Sequence, residues 1–102
     1  MFTVALSVSL PGIAQADQDT QAFLRDIVDG HPIFEFGVNK SPETMLAEGY
    51  LVCANLQKGT PAETVARDFQ RNANTKARGA VHFTLEDMRH FVNTAAQDLC
   101  GQ

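Results

Sequence analysis

The chain has no lysine or arginine before Arg25. Its opening therefore lacks the basic residues that normally precede the apolar stretch of a secretory signal, which leaves room for a start upstream of Met1. It also lacks any apolar run approaching the roughly 20 residues that a membrane-spanning helix requires, so no helical span is expected. Cysteine occurs only at positions 53 and 100. None follows the small residues Ala14-Gln15-Ala16, which excludes a bacterial lipid-anchor signal. Positive charge is in deficit: 8 Lys and Arg against 12 Asp and Glu give a net charge of −4. That balance removes the broad field that would attract nucleic acid or anionic lipid. Beyond residue 16 the only serine is Ser41, and there is no glycine-rich phosphate loop, internal repeat or low-complexity segment.

What the opening does contain is an uncharged, mostly apolar run from Phe2 to Leu10, the helix-breaking pair Pro11-Gly12, and small residues at Ala14 and Ala16. Abrupt polarity follows at Asp17. This is the composition of a secretory signal, so residues 1–16 are expected to be a signal segment and residues 17–102 a single domain. Export places Cys53 and Cys100 in an oxidising compartment, and their even count predicts one disulfide. In the chain-entropy account such a bridge stabilises a small domain by roughly 4 kcal/mol. The expected location is outside the cell or in its envelope.

From Asp17 onward the periodicity predicts an all-α bundle of about four helices. The first, about Gln18 to Asp29, places Phe23, Leu24, Ile27 and Val28 on one face and ends at Gly30. Ile33 to Val38 alternates and reads as an extended linker whose aromatic residues cover the core. The second helix opens with Ser41 as N-cap and Pro42 at its first position, and runs to about Lys58. Met45, Leu46, Gly49, Cys53 and Leu56 fall within about 100° on it. Ala47, Leu51 and Ala54 lie on the other side, so this helix is expected to be contacted on two faces and to be central. The third has a capping-box start, Thr60 to Glu63, buries Ala62, Val65, Ala66 and Phe69, and ends near Asn72. A polar loop spans Asn74 to His82. The last helix starts at Thr84 and carries a stripe of Met88, Phe91, Val92, Ala95, Ala96 and Leu99, ending at Cys100. Gly49 is expected to sit at a close approach to the small residues Ala95 and Ala96.

Chemistry finds little support. His31, His82 and His90 lack metal-ligand spacing. His90, about 200° from Met88, is expected to face solvent. Ser41 is committed to capping, both cysteines to a disulfide, and no carboxylate pair stands in an apolar setting that would raise a pKa. The chain is therefore read as a non-enzyme without cofactor or metal. Arg67, Arg71, Lys76 and Arg78 are the one basic concentration and form a candidate patch for an anionic partner.

Taken together, Phe23-Leu24, the segment Gly49 to Cys53, Leu56 to Pro61 with Val65 after it, and the Ala-rich helix ending at Cys100 resemble an actinobacterial, chiefly mycobacterial, family of small exported proteins catalogued as domain of unknown function 732. The resemblance covers about Asp19 to Cys100. It departs in the long 74–82 loop and in Gly101, where a proline often follows the last cysteine. It implies a compact helical fold, export and a Cys53–Cys100 bridge, and no activity.

The reading is a secreted, monomeric, non-enzymatic module that binds an unknown protein or small molecule. Its rival is a carrier of an apolar ligand or haem, with Phe34, Phe36 and Tyr50 lining the cavity. A weaker rival is a carboxylate-based hydrolase.

Overall fold

The computed structural model describes residues 18–101; the signal segment read at residues 1–16 lies outside the described residues. Five α-helices and one 3-10 turn make up the described chain. They are α1 (residues 18–28), the turn Pro32–Phe34, α2 (Glu35–Lys40), α3 (Pro42–Gln57), α4 (Ala62–Ala77) and α5 (Leu85–Asp98). The all-α architecture, one more helix than the periodicity indicated, is closed by a single disulfide between Cys53 and Cys100.

The extra helix replaces the expected linker. A lone extended segment leaves its backbone groups without partners, whereas coiling satisfies them locally. Pro32, with φ already preset, starts the turn, and the Phe34 N–H closes it on the His31 carbonyl at 3.1 Å. Phe34 is buried there between Phe83 and Phe91, with ring centroids 5.7 and 5.5 Å away. Two residues on, Phe36 points outward and is 72 % exposed, so only one of the two aromatic residues covers the core.

Helix ends follow local chemistry with two departures: Ser41 stands at the N-cap of α3 as expected, but its hydroxyl pairs with Thr44 Oγ1 at 2.7 Å and caps no backbone N–H, and Thr60 exchanges its role. Gly59 takes a left-handed φ of 96° and ends α3. The Thr60 N–H then reaches the Asn55 carbonyl and the Gly59 N–H the Leu56 carbonyl, which is the paired bonding of a Schellman cap. Thr60 is thereby committed to closing α3. The next helix starts one residue later, with Pro61 as its N-cap and no side-chain cap, so the expected Thr60–Glu63 box does not form and Ala62 remains exposed. The box at Thr84–Asp87 is complete: the Asp87 N–H donates to Thr84 Oγ1 and the Thr84 N–H to Asp87 Oδ2.

α4 runs to Ala77, past the expected end near Asn72. Asn74, read as a loop residue, is helical, and its amide holds the following loop. Asn74 Nδ2 donates to the Phe83 carbonyl and Oδ1 accepts from the Phe83 N–H, while Gln70 Nε2 reaches the same carbonyl. The loop proper is thus shorter than the 74–82 segment suggested.

α5, not α3, is the hub. Phe91 packs edge-on against Phe23 of α1 at 5.5 Å and also meets Phe34 and, from α4, Phe69 at 6.0 Å. α3 packs on α5 through Gly49. A Cβ there would lie 2.6 Å from Leu99 Cδ1 and 2.8 Å from Phe23 Cζ, so any side chain at this position must displace one of them. The close approach is where it was expected, but its partners are Leu99 and Phe23. Ala96 is exposed, and Thr94, on the other side of α5, is buried. The second face of α3 is largely uncovered by the described residues: Ala47, Tyr50, Leu51 and Ala54 are all exposed.

Candidate functional site

Two surfaces combine more than one element and hold polar or apolar groups that the fold alone does not consume. The first is the polar row of α5. His90, Thr94 and Asp98 recur every four residues, so they share one face. That face packs on α1 and does not face solvent. His90 Nε2 donates to the Asp26 carbonyl at 2.9 Å, a second bond to an oxygen near the end of α1 that also accepts from the Asp29 N–H at 3.2 Å. His31 lies stacked on His90, centroids 4.2 Å apart, and its Nδ1 donates to Asp87 Oδ1 at 2.8 Å. Two of the three histidines read as solvated are therefore structural joints between the end of α1 and the start of α5; His82 is exposed. The two imidazole planes are within 15° of parallel, so their in-plane lone pairs do not converge on one cation. Among the described residues, no group of three His, Cys, Asp or Glu is placed to hold a metal.

The same face carries a carboxylate pair that sequence reasoning missed. Burial pushes the Asp98 carboxyl up to about 6, and the hydrogen bond and charge of Asp26 act in the same direction, against the opposing pull of Arg25. Asp87 behaves oppositely: burial would raise it, but the hydrogen bonds from His31 and Thr84 outweigh burial and hold it below its ordinary value. These signs separate in pH. Between the ordinary aspartate value of 3.8 and about 6, the native state holds an Asp98 proton that the unfolded chain has released, so stability falls as pH rises through this window. The Asp87 contribution is present above 3.8 and is lost as pH falls below it. Asp98→Asn, which can donate to Asp26 without a charge, should raise the melting temperature at pH 7. It should also abolish the gain the parent shows on acidification to pH 5. A variant less stable than the parent at pH 7, or one with the parent's pH slope, would contradict this.

The other sequence-derived residues are dispersed. Cys53 and Cys100 are bridged, with Cα atoms 5.3 Å apart. Phe34 is in the core, Phe36 has Lys40 Nζ 5.6 Å above its ring, and Tyr50 is 43 % exposed on α3. An open cleft of about 540 Å³ lies elsewhere, between α1 and α2, with Leu24, Val28, Val38 and Pro42 as apolar lining and Arg25 and Glu35 among its polar residues. Of the basic residues, Arg67 pairs with Glu63 at 3.4 Å and Arg71 with Asp68 at 2.6 Å on their own helix. Glu63 is held below its ordinary value, first by its hydrogen bond from Arg89 of α5. Arg78 forms the left-handed cap of α4, with φ 53°. Lys76 alone joins another feature.

That feature is the second surface, the outer side of α3. Residues 47, 50, 51 and 54 have the i, i+3, i+4, i+7 spacing of one helical stripe. Beside it, a notch of about 100 Å³ opens between α3 and α4, with Leu51, Phe69, Ala73 and Met88 as its apolar lining and Glu48, Asn72 and Lys76 as its polar lining. Its sequence signal was the second apolar side of α3, already visible in Ala47, Leu51 and Ala54.

A disulfide-closed helical bundle with an uncovered apolar helix face is the class these features define. The chain belongs to the family described as protein of unknown function (DUF732), whose model matches residues 16–102. No curated protein and no solved structure matches the chain.

Proposed function

We propose that this chain is an exported, non-enzymatic binding module whose contact surface is the outer face of α3. A helix that is apolar on both sides is ordinarily buried on both. Here one side is packed on α5 while Leu51 remains 53 % exposed, and that uncovered stripe is the observation that carries the reading. Export is supported by the signal-like composition of residues 1–16 and by a disulfide, which persists in oxidising compartments. The test is site-specific photocrosslinking in the native host. A crosslinker at Leu51 should give one discrete adduct, whereas one at the exposed Gln97 of α5 should give none. No adduct at Leu51, or the same adducts from both positions, would end this reading.

A second reading, a carrier of an apolar ligand, draws on the 540 Å³ cleft between α1 and α2, a volume in the range of small-molecule sites. Its walls are not the Phe34, Phe36 and Tyr50 set. Saturable uptake of a solvatochromic dye, lost in Val28→Asp, would favour it over the contact-surface reading.

A further inference from the structure

The geometry points to an α-helix of another protein as the occupant of the outer α3 face, one presenting a leucine-sized anchor with a basic residue on one flank and an acidic residue on the other. This rests on the reading of that face as the contact surface. Three features select a helix. The notch of about 100 Å³ has room for one aliphatic side chain and not for a folded ligand. Leu51 stands beside it as a ridge, so ridge and notch together offer the relief that interlocks with a helical surface. Ala47 and Ala54, one turn to either side, are small enough to let a helix axis come within about 8–10 Å.

Charge fixes which helix. Most charged side chains around the neighbouring helices are already neutralised: Arg67 by Glu63, Arg71 by Asp68, and Arg89 by Glu63 and Glu86. Glu48 and Lys76, like Glu43, Lys58 and Arg78, are in no ion pair among the described residues, and these two supply the charged lining of the notch, from α3 and α4. The groove is therefore negative along its α3 edge and positive along its α4 edge. An incoming helix must carry the reverse, a lysine or arginine over Glu48 and an aspartate or glutamate over Lys76. That requirement rejects like-charged helices and sets the direction in which the partner lies.

The test is selection of helical peptides from a displayed library against the disulfide-intact chain. Enriched sequences should show apolar residues at i, i+3 or i+4, and i+7 with oppositely charged flanks, and Leu51→Asp should abolish their binding. Glu48→Lys should weaken binding about tenfold, and changing the facing basic residue of the peptide to glutamate should restore it. Binders indifferent to Leu51→Asp, or binders sensitive to it but unaffected by Glu48→Lys, would overturn the proposal. A concentration-dependent dimer of the chain itself, dissolved by Leu51→Asp, would also overturn it by naming a different occupant. In that case, or if a Leu51 photoadduct forms while no helical peptide binds, the contact surface stands and only the helical partner falls.

Discussion

Reduction of the Cys53–Cys100 bridge will destabilise the domain by about 4 kcal/mol. The bridge spans 47 residues of sequence, and closing a loop of that length removes this much conformational freedom from the unfolded chain in the entropy model. A domain of this size has a net stability of about 4–13 kcal/mol, so the loss is a large part of the whole. Urea unfolding with and without reductant measures it directly. The Cys53→Ala, Cys100→Ala double variant should reproduce the shift without reductant. Coincident unfolding curves would show that the bridge records an approach that packing already enforces.

Gly49→Leu will destabilise the domain by roughly 1–3 kcal/mol through overpacking. The first added carbon alone would lie 2.6 Å from Leu99 and 2.8 Å from Phe23. These are side-chain ends, but Leu99 and Phe23 are themselves enclosed, at 3 % and 0 % exposure, and have little room to withdraw. Gly49→Ala meets the same two atoms yet gains up to about 1 kcal/mol of helix propensity, so it should cost less. Chemical denaturation of both variants with the disulfide intact provides the ranking. A leucine variant as stable as the parent would mean that α3 does not rest on α1 and α5 at this point.

What could be read from the sequence was what depends on neighbours along the chain. Pro42 at a first helical position, Gly30 and Gly59 beyond helix ends, the stripe of α5 and the pairing of two cysteines are each decided by local spacing or by count. The failures share a different cause. Phe34 and Phe36 alternate as a strand would, but no second strand exists among the described residues to pair with, and that is a fact about the whole fold. Thr60 has the composition of a cap and is used for the preceding helix, while Asn74, a loop former by habit, ties a loop from inside a helix. From α5 alone His90 faces solvent, because the helix's apolar stripe marks only one buried side. α1 brings its own carbonyl and carboxylate to the opposite row, and nothing local to either helix announces that meeting. The outer α3 face was legible as apolar, but its exposure was not, since exposure depends on where the other helices go.

The position of the disulfide divides the molecule in a way that the packing does not. Its covalent ring encloses the end of α3, all of α4 and all of α5, while α1 and α2 lie outside it. The domain is thus a closed ring bearing an arm, and the arm is fastened without a covalent cross-link: Phe23 and Ile27 in the core, His31 on Asp87, and the Asp26 carbonyl on His90. Lifting the arm leaves the ring intact and uncovers the Gly49 crevice from the α1 side. Local opening can therefore precede global unfolding along one defined seam, between α1 and the polar row of α5. Asp98 and Asp26 stand on that seam.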